Sequence, residues 1–196
     1  MKDIAPARVY LDAGDLIQPR TLRTIERTSV SIPDPDGALV HLQFRRYAGC
    51  PICSLHLRSF SERHSEIVAA GIRELVVFHS PEAELRKVHR LPFAVIADPD
   101  KRLYAEFGVG TSPRAVLDPR VWPTAMRAVA VRASADPKVG MASGSFGLPA
   151  DFLIAPDGRL LASKYGVHAD DQWSVDELLG LPRQLDRAPR EARAHA

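Results

Sequence analysis

Apolar and polar positions along the chain fall into short alternating runs. Residues 21–32 mix Thr, Ile, Val and Ser at strand-like spacing, stop at Pro33-Asp34-Pro35-Asp36-Gly37, and resume as Leu39-Val40-His41-Leu42-Gln43-Phe44. Two such runs around a Pro/Asp/Gly cluster predict an N-terminal β-hairpin. The second run leads through Arg45-Arg46-Tyr47-Ala48-Gly49 into Cys50-Pro51-Ile52-Cys53, after which Leu57, Phe60, His64, Ile67 and Val68 recur at helical spacing. The two cysteines therefore stand at a strand-to-helix junction.

Further along, residues 72–78 read as a buried strand and residues 81–90 as a helix opened by Ser80 as N-cap and Pro81 at its first position. Residues 93–97 read as another strand. This β-α-β-α-β alternation predicts parallel strands with helices on both faces of the sheet. Residues 100–109 predict a short helix ending near Gly108. Residues 112–147, with Pro113, Pro119, Pro123 and Pro137, read as an insertion containing a helix over 124–134. Regular pattern returns at residues 150–154, turns at Ala155-Pro156-Asp157-Gly158, and continues over 159–165 as an antiparallel hairpin. A last helix over 174–179 closes a single domain spanning 1–182, and 183–196 is expected to be a mobile, Arg-rich tail. The fold class is α/β: a central mixed sheet flanked by helices.

Length and composition narrow the function. At 196 residues, 45% apolar and 26% charged, the chain suits one soluble domain with a continuous core. The formal charge of +2 is carried by the C-terminal tail, where four Arg face Asp186 and Glu191, so no basic stripe for nucleic acid is expected on the folded part. The N-terminal residues carry no apolar signal-like run, and no stretch of about 18 apolar residues occurs. The expectation is a cytoplasmic protein that does not bind membranes.

Two cysteines in a chain this long cannot act as a disulfide scaffold, so their value lies in chemistry. A thiol attacks as thiolate, and Cys50 at the start of a helix would have its charge favoured by unpaired backbone N–H groups and the helix dipole. Pro51 fits the first helical position, which needs no hydrogen bond from its nitrogen. Cys53, one turn further on, is placed to attack a mixed disulfide on Cys50. Cys50 thus reads as nucleophile and Cys53 as resolving thiol. A zinc site would need further ligands, and no second CxxC or paired His completes one. No metal or organic cofactor is expected. His56 either tunes Cys53 or lies on a partly buried helix stripe, and the stripe is the plainer reading.

Taken in order, Gly49-Cys50-Pro51-Ile52-Cys53, Val76-Val77-Phe78-His79-Ser80, Ala97-Asp98-Pro99-Asp100, Tyr104-Ala105-Glu106-Phe107-Gly108-Val109 and residues 148–158 resemble the peroxiredoxin-like branch of the thioredoxin superfamily. This is the alkyl hydroperoxide reductase and thiol-specific antioxidant group. The likeness covers residues 15–180 apart from 112–147. It implies a thioredoxin-like fold, catalytic Cys50 and Cys53, and a cis-proline at Pro149 that would pair with substrate backbone.

The resemblance further implies an oxidoreductase that reduces a peroxide or protein disulfide with electrons from a thioredoxin-like or glutathione-like donor. A homodimer is compatible with it. Two positions depart from the family pattern. Tyr47 stands where a Thr is usual three residues before the cysteine, and Pro149 stands where an Arg usually holds the peroxide oxygens. Arg46 or Arg114 would supply the missing cation, although a solvated surface Arg is the plainer reading of each, and Tyr47 would either offer a hydroxyl or pack at the strand end. The alternatives are a thioredoxin-like disulfide reductase without peroxidase activity, or a redox-sensing binding module in which Trp122, Met126, Val129 and Val131 form an interface.

Overall fold

The computed structural model describes residues 10–112, 114–130 and 146–194. Seven strands and seven α-helices follow in the order β1 (Arg20–Arg23), β2 (Ser29–Ile32), β3 (Leu39–Arg45), α1 (Pro51–Glu62), α2 (His64–Ala69), β4 (Ile72–Phe78) and α3 (Glu82–Val88). Then come β5 (Ala94–Ala97), α4 (Arg102–Glu106), α5 (Arg114–Leu117), a single 3-10 turn (Pro119–Val121), α6 (Trp122–Ala130), β6 (Ala150–Ile154), β7 (Leu160–Tyr165) and α7 (Val175–Ala194).

The main sheet has the order β5-β4-β3-β6-β7. Strands β3, β4 and β5 are parallel, as the intervening helices require, and β6 and β7 join antiparallel. The turn between β6 and β7 places Gly158 at φ +85°, a conformation that costs glycine little. No helix among the described residues is long and apolar enough to cross a membrane.

Two apolar cores cover the two faces of this sheet. On one face Val40, Leu42 and Phe44 of β3 pack with Leu75, Val77, Ile96, Phe107, Phe152 and Ile154. On the other, both cysteines, Leu57, Phe60, Ile67, Val76, Phe78, Leu153 and Trp173 form a second cluster. The face of β3 that looks toward α1 carries His41, Gln43 and Arg45, all fully buried. An alternating apolar/polar strand ordinarily turns its polar face to water. Here helix α1 and the chain around Trp173 cover it, and the polar side chains must satisfy one another.

Several local expectations change. The N-terminal hairpin exists, but its partners are β1 and β2, in a two-stranded sheet of their own that turns at residues 24–28. The run over 39–45 instead becomes the centre of the main sheet, because its buried backbone is paired on both sides by β4 and β6. Pro81, not Ser80, caps α3, since the Ser80 hydroxyl is taken by the Ala48 N–H at 3.0 Å. Helix α6 begins two residues earlier than the helix predicted over 124–134, and residues 131–134 lie outside the described residues. Helix α7 continues past Pro182 to Ala194, through most of the stretch read as a tail.

Candidate active site

The site begins with the loop that joins β3 to α1. Tyr104 reaches from α4 to donate its hydroxyl hydrogen to the carbonyl oxygen of Arg45, and its hydroxyl oxygen also lies 3.0 Å from the Val77 carbonyl oxygen. Helix α4 is held in turn by Asp98, whose carboxylate accepts the N–H groups of Arg102, Leu103 and Tyr104 at 3.0, 2.8 and 3.2 Å. Such acceptors satisfy donors that a helix start leaves unpaired. Ser80 fixes the loop from the end of β4. The separate motifs quoted from the sequence thus converge on the few residues before Cys50.

Cys50 is the N-cap of α1, and its sulfur accepts the Cys53 N–H at 3.2 Å. Pro51 follows at the first helical position, as expected. The Arg46 guanidinium lies 3.7 Å from the same sulfur and stacks over the Tyr47 ring at 5.4 Å from its centroid. Arg46 is only 2% exposed, which overturns its reading as a solvated surface residue. It supplies a cation beside the nucleophile from the strand end. Tyr47 packs into the cluster around the thiols, and burial, followed by the nearby cysteines, pushes its hydroxyl up to about 12, so it stays protonated.

The sulfurs are 0% and 1% exposed and form a hydrogen-bonded pair. Burial opposes a thiolate on Cys53, but the hydrogen bond from Cys50 and the Arg46 and Arg45 guanidinium charges outweigh it and bring the thiol down to about 7. Burial and the charge on Cys53 hold the other proton, on Cys50, well above the ordinary thiol range. As a unit, the dithiol loses one proton near neutrality and keeps the second, with negative charge shared across the two sulfurs.

Beneath the dithiol, the polar face of β3 joins a chain of buried groups. His41 donates from Nδ1 to Glu74 at 2.9 Å and from Nε2 to Asp151 at 3.2 Å. Both ring nitrogens can donate only in the imidazolium. Burial alone would lower His41, yet the two carboxylates raise it to about 9. Arg45, the largest fully buried side chain, donates to Asp151 and to the Gln43 side-chain oxygen at 2.6 Å each, and to His56 Nε2 at 3.1 Å. The Asp151 carboxyl is opposed by burial, but Arg45 and His41 hold it well below the usual carboxylate range. His56 accepts from Arg45 and stays neutral, because burial and the Arg45 charge depress it strongly. It also packs on Phe60, with ring centroids 4.7 Å apart, so it is both a stripe residue and part of the polar chain.

The cis bond that the thioredoxin pattern implied at Pro149 is not present. The cis peptide among the described residues is Ile32–Pro33, so the bond preceding Pro149 is trans. The Pro149 ring is held against Gly166, where a Cβ would come within 2.7 Å of it, and its carbonyl accepts the Gly166 N–H at 2.9 Å. That carbonyl is therefore already paired with its own chain. Pro149 lines a cavity of about 210 Å³ with Tyr10, Val109 and Tyr165, and neither cysteine is part of that lining.

The residue of this segment that approaches the site is Gly147. A Cβ there would lie 3.0 Å from His79 Nε2 and 3.8 Å from the Arg46 side chain. Of the residues considered for an interface, Trp122 and Met126 are exposed on α6, while the side chains of Val129 and Val131 lie outside the described residues, as does that of Arg114, the other candidate cation. Sequence reasoning missed Arg45, Asp151 and His41. The one signal was polar residues at alternate positions of a strand that the β-α-β pattern already required to be covered on both faces.

The comparisons with known proteins agree with this geometry. A family model described as AhpC/TSA family matches residues 13–163. No curated protein matches the chain. Among solved structures, peroxidoxin BcpB from Mycobacterium tuberculosis superposes with a TM-score of 0.64 at 17% identity, covering 89% of this chain and 98% of that one. AhpC from Mycobacterium tuberculosis gives 0.60 at 15% identity, covering 91% and 94%. A peroxiredoxin-like protein from Aquifex aeolicus gives 0.59 at 14% identity, covering 90% and 89%. At these identities the structures speak for the fold, while the family model spans more than half of the chain: this protein belongs to the AhpC/TSA family and is a peroxiredoxin-like oxidoreductase of the thioredoxin fold.

Proposed function

We propose that the protein reduces peroxides through a Cys50/Cys53 dithiol–disulfide cycle. The observation that carries this reading is the Cys50 sulfur at the helix start, accepting the Cys53 N–H at 3.2 Å with Arg46 at 3.7 Å. As the Cys50 proton passes to the charged Cys53, Cys50 attacks the distal peroxide oxygen as thiolate; an S–O bond forms, the O–O bond breaks, and the departing oxygen takes up that proton to leave as alcohol or water, which returns Cys53 to thiolate. Cys53 as thiolate then attacks the sulfenic sulfur. The S–S bond forms, the S–O bond breaks, and hydroxide leaves as water once protonated. An external thiol donor, thioredoxin-like or glutathione-like, returns two electrons and two protons to the disulfide.

A second reading, reduction of protein disulfides, rests on Tyr47 and Pro149 at the two positions where the family places groups for peroxide. Burial of both sulfurs favours the first reading, since a peroxide needs far less room than a protein strand. Stopped-flow oxidation of the reduced protein by hydrogen peroxide, beside its exchange with a protein disulfide, tests both. Fast oxidation that disappears in Cys50→Ser, and stops at a trappable sulfenic acid in Cys53→Ser, is expected. Fast disulfide exchange with slow peroxide reaction would replace the first reading by the second.

A further inference from the structure

We infer that the cleft between α1 and α6 seats the electron donor of the cycle, and that this donor is a small thiol of amino-acid character, bearing carboxylate and ammonium groups. The donor role rests on the dithiol–disulfide cycle proposed above, whose partner it names.

The cleft has a volume of about 520 Å³, within the range of sites that hold small molecules. One wall is α1, with His56 and Ser59, and the other is α6, with Thr124 and Arg127; Asp170, on the chain after β7, completes the lining between them. Cys53 and His56 stand three residues apart on α1 and so share a face of the helix. A helical side chain leans over the turn that precedes it, which carries His56 toward the turn of Cys53. Val121, just before α6, belongs to the apolar cluster that holds both sulfurs, and Ala125 packs against it. Both walls of the cleft thus stand on the cluster that contains the dithiol.

Some polar groups of the lining are already spent. Ser59 donates to the His56 carbonyl at 2.7 Å, Thr124 donates to Asp170 Oδ2 at 2.6 Å, and Arg58 pairs with Glu62 at 2.8 Å. Others are free. His56 accepts from Arg45 at Nε2, and guanidinium only donates, so the imidazole hydrogen sits on Nδ1, which has no partner among the described residues. Arg127 is exposed and has no ion pair among the described residues, and Asp170 keeps Oδ1 unbonded. The cleft therefore offers an N–H, a guanidinium and a carboxylate oxygen. A carboxylate and an ammonium group on one small molecule satisfy all three with charge-assisted hydrogen bonds.

Burial of both sulfurs points to the same class of donor, because a thiol carried on a single methylene needs less room to reach them than one carried by a folded protein. The donor thiolate attacks Cys53, the sulfur one turn before His56. A mixed disulfide forms, the Cys50–Cys53 bond breaks, and Cys50 leaves as thiolate and takes up a proton. A second donor thiolate attacks the donor sulfur of the mixed disulfide. Cys53 leaves and is protonated, and the two donors depart joined as their disulfide. Two donor thiols are oxidised, and the protein gains two electrons and two protons.

The test uses the full chain oxidised to the Cys50–Cys53 disulfide with diamide, and follows the return of its thiols under glutathione, dithiothreitol or a reduced thioredoxin. The glutathione rate is expected to saturate, and S-methylglutathione, which keeps the charges and lacks the thiol, to compete. Dithiothreitol carries neither carboxylate nor ammonium and reports access to the disulfide alone. Arg127→Ala should lower the ratio of the glutathione rate to the dithiothreitol rate about fivefold below saturation, and Arg127→Lys should restore most of it. A glutathione rate that rises linearly and feels no competitor overturns the inference. So does an unchanged ratio in Arg127→Ala, or reduction by thioredoxin far faster than by saturating glutathione. Failure of the reduced protein to react with peroxide would overturn the peroxide cycle, while the diamide-oxidised protein would still judge the donor site.

Discussion

Replacing Arg46 by Met removes the guanidinium 3.7 Å from the Cys50 sulfur while keeping much of the stem beside Tyr47 and Gly147. The shared thiolate loses its nearest cation. The first proton of the dithiol should then leave about one pH unit higher, and peroxide oxidation at neutral pH should slow roughly tenfold. Thiolate absorbance and stopped-flow rates measured on the same sample check both numbers. An unchanged midpoint with a slowed rate would mean that Arg46 handles the substrate and not the sulfur. At this scale the sequence named Arg46 but misjudged its exposure, and it missed Arg45. Two consecutive arginines before a CxxC look like solvent residues, and only the pleat of β3, with Arg45 facing α1 and Arg46 turned to the loop, takes both inside.

Elements act on the site mainly through α4 and its acceptor, Asp98. Asp98→Ala leaves three N–H groups at the start of α4 without their carboxylate and should cost about 1 kcal/mol. Urea denaturation measures that loss. Because Tyr104 ties α4 to the Arg45 carbonyl, the same variant should also broaden the thiol titration. A stability loss with an unaltered titration would show that α4 is only scaffolding.

The elements that hold the site were legible wherever periodicity and punctuation agreed. β4 matches its predicted span residue for residue, the parallel β-α-β-α-β order is present, and the hairpin of β6 and β7 turns at Gly158. Less was legible where a choice depended on distant partners. The run over 39–45 alternates like a strand wet on one side, and its pairing with β4 and β6 could not be read from residues 33–37. Pro149 was judged from the strand that follows it. What fixes it is Gly166, on a strand end that no local pattern links to it.

For the molecule as a whole, the buried histidines predict how stability changes with pH. Burial, aided by nearby positive charge at His79, lowers His79 and His89 from an ordinary 6.5 to about 4, and burial with the Arg45 charge holds His56 well below its ordinary range. Their unfolded forms take up protons first. The stability they allow is therefore complete above about pH 6.5 and is lost progressively as pH falls toward 4. Each should add a slope of about 1.4 kcal/mol per pH unit in that window. His41, raised to about 9, is protonated in both states at the acid end of the window and does not offset the loss. Urea midpoints measured between pH 4 and 6.5 should fall steeply. His89→Phe, which keeps the stacking on Phe78 and removes an unpaired nitrogen, should flatten the fall. An identical slope in that variant would assign the acid loss to other groups.

The pairing of Arg45 with Asp151 and of His41 with Glu74 sets two positive charges against two negative ones inside the sheet, with Arg46 also covered. Such an arrangement casts almost no field beyond the protein surface, and mobile ions in the solvent cannot reach it to weaken it. Reactivity at the sulfurs is thereby uncoupled from the ionic strength of the surroundings. The rate with uncharged hydrogen peroxide should stay flat as salt is raised. A strong salt dependence would mean that the cations acting on the thiolate lie on the outside.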